Sequence, residues 1–251
     1  MNKILKIIII HILKFVHYKR NVTVIFQNDE DKNIFLKNKI INENHSCKIK
    51  GSGVDLSVYR YLPEPDCDGM VRILFTARML RDKGVLELAD AARLLKKEYH
   101  HKAQFLFCGD IDNNPKSLTI EELESITDGE YIKWLGYCDN VREQLEQSHI
   151  FAFPSYYREG LPKSLIEACA VGRPIITTNS VGCKDCVVDN YNGFLIPIKD
   201  SKTLADKLEV LINDKALRIS MGQNSRVLAE KEFSITDVID KHIDIYNKLV
   251  Q

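Results

Sequence analysis

Residues Phe151–Pro174 read FAFPSYYREGLPKSLIEACAVGRP, and their order decides the fold. The apolar run Ile150–Phe153 predicts a buried strand. A polar turn rich in Tyr and Arg follows, and Pro162 opens a helix, a place where its missing N–H costs nothing. Gly172 supplies a left-handed stop, and Pro174 leads into a second apolar run, Ile175–Thr178. Strand, loop, helix and strand in this order build a parallel α/β sheet. In such sheets the loop leaving a strand's carboxyl end lines the ligand crevice, and the next helix aims free N–H groups at an anion there. Glu159 lies in that loop and Glu167 lies on the helix, eight positions later. Helical side chains lean toward the N-terminus, so both carboxylates point at one crevice. The alternative is a solvated loop charge at Glu159 and a carboxylate at Glu167 that only complements the helix dipole.

Regular βα alternation surrounds this stretch. Val71–Thr76 predicts a strand, and Val85, Leu88, Ala89, Ala92 and Leu95 recur at helical spacing. Phe105–Cys108 and Tyr131–Leu135 predict further strands. Thr119 with Glu122 forms a capping box. Asp139 is expected to cap a helix running to about Ser148, and Ser201 one running to Ile212. Two more helices, near Lys215–Glu230 and Ile235–Val250, finish the chain. The fold class is α/β, a Rossmann-like doubly wound parallel sheet.

The run EGLPKSLIEACAVGRPII resembles the E-x7-E signature of the retaining family 4 glycosyltransferases, whose GT-B architecture faces two Rossmann-like domains across a cleft. Companion stretches agree in order: GSGVDLSVY at 51–59, LFTARMLRDKG at 74–84, FLFCGD at 105–110, WLGYCDNV at 134–141 and DNYNGFLIP at 189–197. The resemblance implies a transferase that moves a hexose-type sugar from a nucleotide-diphosphate donor to a saccharide or lipid-linked acceptor, with retention, in surface polysaccharide synthesis. It implies that Arg78 and Lys83 are the family's R-x4-K pair, which would stabilise charge developing on the leaving diphosphate. Glu159 would contact donor-sugar hydroxyls, with Gly160, Leu161 and Pro162 beside it, and Gly160 and Leu161 would offer backbone N–H groups. Glu167 would accept hydrogen bonds from the ribose hydroxyls. The catalytic set is then Glu159, Lys83 and Arg78. No cofactor is expected.

The same resemblance divides the chain into residues 1–55, a remnant of an acceptor-side N-terminal domain, 56–69, a linker, and 70–251, the nucleotide-sugar domain. Within the first part, Val22–Gln27 predicts a strand, Asn28–Lys39 a helix, and Cys47–Lys50 a short strand. Most of the N-terminal domain would lie outside this chain. An inactive donor-binding fragment that needs a separate N-terminal half is therefore the alternative reading. A glycoside hydrolase would also use paired carboxylates but has no use for a diphosphate cradle.

Composition sets outer limits. The 251 residues are 45% hydrophobic with a formal net charge of zero, so nothing marks the chain as a nucleic-acid binder. Seven cysteines are scattered, and Cys183-Lys-Asp-Cys186 is a lone CxxC without a second pair, so reduced cytosolic thiols are expected. Asp110-Ile-Asp112 and Asp66-Cys-Asp68 have the D-x-D form that holds a metal elsewhere; here the first reads as a turn after a strand, and no metal is expected. The N-terminal MNKILKIIIIHILKFVHYKR is too charged for a bilayer span and lacks a cleavage site. It predicts a basic amphipathic helix, facing either a domain core or an anionic membrane surface. The expected place is cytoplasmic, with peripheral contact at the inner face of the membrane, and the apolar stub at Ile7–Ile10 and Val22–Phe26 would favour self-association.

Overall fold

Ile73, Leu74 and Phe75 have no exposed surface, and Phe105, Phe107, Ile150, Phe151 and Ala152 match them. Strands buried on both faces in this way belong in the middle of a parallel sheet covered by helices on each side. The computed structural model, which describes residues 3–18 and 22–250, has that arrangement. Six strands, β3 (Val71–Thr76), β4 (Ala103–Cys108), β5 (Ile132–Trp134), β6 (Ile150–Phe153), β7 (Ile175–Thr178) and β8 (Gly193–Ile196), form one parallel sheet in the order β5-β4-β3-β6-β7-β8. The order reverses between β3 and β6, which is where a doubly wound sheet opens its crevice. β3 pairs with β4 along its whole length, from Val71↔Ala103 to Thr76↔Cys108. It meets β6 only at Ile73↔Ile150 and Leu74↔Phe151.

Helices cover both faces: α3 (Val85–Tyr99), α4 (Ile120–Ile126), α5 (Val141–Glu146), α6 (Lys163–Val171), α7 (Ser201–Asn213) and α8 (Lys215–Glu232); α9 (Ile235–Val250) leaves the sheet, buries Val238, and starts where the Ile235 N–H donates to Val54 O at 3.1 Å. The expected spacing in α3 holds, since Val85, Leu88, Ala89, Ala92 and Leu95 are all buried. The Thr119–Glu122 capping box is formed. Two other caps fall one residue away from expectation. Asn140 rather than Asp139 accepts the Glu143 N–H, and Asp200 rather than Ser201 accepts the Thr203 N–H, because each of these side chains stands three residues ahead of a free donor. Pro162 occupies the extended N-cap of α6 (φ −63°, ψ 122°) and not its first turn, while Gly172 takes the left-handed stop at φ 84°. β8 was not anticipated as a strand; its four residues follow a tight Asn190–Gly193 turn that obscures the apolar run.

The ends of β4 and β5 also correct the expectation of seven reduced thiols. Gly109 N–H donates to Gly136 O at 2.8 Å, so the two loops run side by side, and Cys108 is joined to Cys138 by a disulfide with Cα atoms 6.1 Å apart. Cys183 and Cys186 are buried free thiols.

Ahead of the large sheet, β1 (Val24–Phe26) and β2 (Ser46–Lys48) form a separate parallel pair bridged by α2 (Asp29–Lys37), and α1 (Lys3–Val16) precedes them. Asn28 caps α2 rather than lying in it. Ile4, Leu5, Ile7, Ile8, Ile9, Ile12, Phe15 and Val16 of α1 are exposed. Lys19 and Arg20, which close the basic stretch, lie outside the described residues. No described helix is long and apolar enough to cross a membrane.

The segment between β2 and β3 has no regular structure and is strapped to the large domain. Arg226 Nη1 donates to the carbonyls of Tyr59 and Ala170, both at 2.8 Å. Leu62 N–H donates to Val171 O at 3.1 Å, and buried Arg173 donates through Nη1 to Pro63 O at 3.2 Å. Arg218 grips Glu64 through two bonds of 2.7 and 2.8 Å.

Candidate functional site

Loops from the carboxyl ends of β3, β4, β5 and β6 meet above the crevice. The β3–α3 loop is stitched on both sides. Ala77 N–H donates to Cys108 O and Met79 N–H to Asp110 O, at 3.1 and 2.9 Å. On the other side the Asp82 carbonyl accepts the Tyr156 and Tyr157 N–H groups, both at 3.0 Å, and the Ser155 hydroxyl at 3.1 Å. Gly84, at φ 83°, presses on the Pro154 carbonyl so closely that a Cβ there would lie 2.3 Å from its oxygen. Only glycine fits.

This stitching places Lys83 against Glu159. Lys83 Nζ pairs with Glu159 Oε1, with side chains 15% and 12% exposed, and Ser155 Oγ donates to the same carboxylate oxygen at 3.3 Å. Lys83 Nζ also lies 5.3 Å from the centre of the Tyr157 ring. Arg78 points elsewhere: it is exposed and pairs with Asp112. The first D-x-D is thus split between two tasks: Asp112 holds Arg78 of the neighbouring loop, and Asp110 Oδ1 accepts the Ile111 N–H of its own at 2.8 Å. Among the described residues, no three His, Cys, Asp or Glu side chains group to hold a metal ion.

Glu167, in the second turn of α6, is nearly buried, and Lys163 Nζ stands 3.7 Å away. Burial pushes its carboxyl above the ordinary carboxylate range, while the Tyr59 hydroxyl and Lys163 act in the other direction. Burial and the neighbouring carboxylate push the Tyr59 phenol up to about 12. A cavity of about 640 Å³ opens at this point, walled by Thr76, Arg78, Gly109, Tyr137, Ser164 and Glu167 among others.

The cavity therefore joins Arg78 and Glu167, as the sequence suggested. Lys83, Glu159, Gly160, Leu161 and Pro162 do not line it and form an adjoining cluster. The Leu161 N–H donates to Gln27 Oε1 at 2.9 Å. Among the wall residues that sequence reasoning gave no role are Thr76, Ser164 and Tyr137. Thr76 is 5% exposed, and its hydroxyl finds no hydrogen-bond partner among the described residues. Its place at the carboxyl end of β3 was the available signal. Ser164 sits in the first turn of α6, where hydroxyls face an anion crevice. Tyr137 lies in the WLGYCDNV stretch, which carried the resemblance but assigned this residue no role.

Chemically, the arrangement sets a guanidinium, a helix N-terminus and a buried carboxylate around one opening, with the Lys83–Glu159 pair in the adjoining cluster. Such a set suits a ligand with an anionic middle and hydroxyl-bearing ends.

Comparison with known proteins agrees. Residues 68–228 match the family model described as "Glycosyl transferases group 1". The chain is 28% identical over 238 residues to the N,N'-diacetylbacillosaminyl-diphospho-undecaprenol alpha-1,3-N-acetylgalactosaminyltransferase of Campylobacter jejuni, covering 90% of this chain and 60% of that protein. It is 30% identical over 178 residues to the capsular polysaccharide biosynthesis glycosyltransferase CapM of Staphylococcus aureus, covering 70% and 46%. A solved glycosyltransferase from Rickettsia africae has the same fold at a TM-score of 0.79 and 23% identity, over 92% of this chain and 64% of that one. The chain thus spans about half the length of the curated relatives it matches. With the family match running through more than half of its residues, this chain belongs to the group 1 glycosyl transferases.

Proposed function

We propose that the chain binds a nucleoside-diphosphate sugar and supports transfer of a hexose-type sugar, with retention, to a saccharide or lipid-linked acceptor in surface-glycan synthesis. The observation that carries this reading is the cavity walled by Arg78 and buried Glu167 at the amino end of α6. In this reading Arg78 and Lys83 oppose the charge that develops on the diphosphate, and the α6 N-terminus adds its dipole. Glu167 takes the ribose hydroxyls, and Glu159 takes hydroxyls of the sugar, exchanging part of its contact with Lys83 for them. Residues 70–251 are the donor-binding domain, 56–69 the linker, and 1–55 belong to the acceptor side.

The Campylobacter relative is named for an acceptor carried on diphospho-undecaprenol, which favours a lipid-linked acceptor and peripheral contact with the inner face of a membrane. No metal or organic cofactor is needed in this scheme, because fixed cations do the electrostatic work. The test is calorimetry of the chain with UDP and with GDP. Saturable binding of one of them, in the micromolar to millimolar range, is expected; no heat with either at millimolar concentration would refute the reading.

A further inference from the structure

The loop that carries Glu159 is held by two side chains from another part of the chain. Gln27 Oε1 accepts the Leu161 N–H at 2.9 Å. Asn28 Nδ2 donates to Asp31 Oδ2 at 3.0 Å and also reaches the carbonyl oxygens of Glu159 and Gly160, each at 3.4 Å. The approach is closest at Gly160, where a Cβ would lie 2.0 Å from Gln27 Oε1. Two ion pairs flank these contacts. Arg158 places Nε and Nη2 on Asp31 Oδ1 at 3.0 and 2.6 Å, and Lys184 pairs with Glu30.

Peptide groups between a strand and a helix have no ladder partners, so side chains or ligands must satisfy them. Gln27 and Asn28 satisfy three in a row, one N–H and two carbonyls. The orientation of the Asn28 amide follows from its other duty. Its Oδ1 accepts the Asp31 N–H at 2.8 Å to cap α2, which turns Nδ2 toward the loop. Asn28 is 1% exposed, so this donor is not shared with solvent.

We infer that Gln27 and Asn28 are positioning residues for the donor-side loop, fixing the peptide groups from Glu159 to Leu161 and through them the Glu159 carboxylate against Lys83. The inference rests on the proposed function for what the loop binds, and goes beyond it in making the β1–α2 corner part of the sugar site. Asn28 and Gln27 touch no substrate; they act through Glu159.

The test uses the full chain with Gln27→Leu, Gln27→Glu and Asn28→Asp. Asn28→Asp keeps the α2 cap, since aspartate accepts the same N–H, but it loses the amide donor and sets a carboxylate against two carbonyls and the Asp31 carboxylate. Hydrogen exchange at the Leu161 amide is expected to rise about tenfold in Gln27→Leu and Asn28→Asp, with the melting temperature held within a few degrees. The dissociation constant for UDP-N-acetylgalactosamine is expected to rise about tenfold while that for UDP stays within about twofold, because the loop serves the sugar and not the nucleotide. Gln27→Glu, which retains an acceptor, should stay near the unaltered chain. Unchanged exchange overturns the inference whatever the ligands do, as does equal weakening of both ligands or none. Failure of the unaltered chain to bind either ligand counts instead against the proposed function, and exchange at Leu161 still decides whether the clamp exists.

Discussion

Glu167 is a carboxylate that the fold keeps out of water, and its behaviour follows from that. Burial raises its pKa in the folded chain, so the folded state holds this proton more tightly than the unfolded chain does. Its contribution to stability is therefore greatest at pH values below the ordinary carboxylate pKa and falls as pH rises through the raised one. In the proposed role ligand binding runs the other way, because the ionised carboxylate can accept from both ribose hydroxyls with two charged oxygens, whereas the protonated form turns one of them into a donor. UDP affinity is expected to weaken on acidification at a pH above the ordinary carboxylate midpoint of about 4.3. In Glu167→Gln that step should vanish and affinity should sit near the weak acid-side value, as calorimetry over a pH series would register. Glu159 differs: paired with Lys83 and Ser155, it can be freed only by a ligand that offers comparable hydrogen bonds. Glu159 and Glu167 were legible because one lies in the loop after β6 and the other on the helix that follows, and Arg78 and Lys83 because they match the R-x4-K pattern in the loop after β3. The Lys83–Glu159 contact was not, because the two residues are 76 apart and only the sheet order brings them together. Nor was the Gln27–Leu161 bond, which spans 134 positions.

Among the elements, β6 joins the linker to the sheet through the residue just before it. His149 Nδ1 accepts the Arg72 N–H of β3 at 3.1 Å, so its neutral form is the one the fold uses. Burial lowers its pKa to about 4; Glu64 acts against the shift, and Arg218 and Arg173 act with it. The unfolded chain, with a histidine pKa near 6.5, takes up the proton first. Stability is thus fully present above about pH 6.5 and is lost as pH falls toward about 4, by roughly 2–3 kcal/mol. Urea unfolding at about pH 7 and pH 4.5 should show the difference, and His149→Gln should flatten it. Strand and helix identities were readable from apolar runs and 3.6-residue spacing, as in β6 and α3. Helix starts were less so, because Asp139 and Asn140 are both good caps and only the position of the Glu143 N–H chooses between them.

At the scale of the whole molecule, the two ends of the chain contrast. The large domain buries the phenylalanines of its sheet, Phe75, Phe105, Phe107, Phe151 and Phe153, while α1 shows solvent a face of Ile4, Ile8, Ile12 and Phe15. Surfaces of that kind associate. Light scattering of the purified chain is expected to report a mass above that of the monomer, and Ile8→Glu with Ile12→Glu should lower it toward 28.8 kDa. The sheet itself has a further consequence. Residues 71–134 build β3, β4 and β5, residues 150–196 build β6, β7 and β8, and the strand ladder between the halves is two residue pairs long. Arg78 and Lys83 belong to the first half, Glu159 and Glu167 to the second. The crevice therefore lies on the boundary between the two halves, which are held together by this short ladder and by α3 against α7, where the Tyr99 hydroxyl donates to Glu209 at 2.7 Å. A ligand that touches Arg78 and Glu167 together acts as a rivet across that boundary, because it binds only while both halves are in place and so stabilises the state in which they are joined.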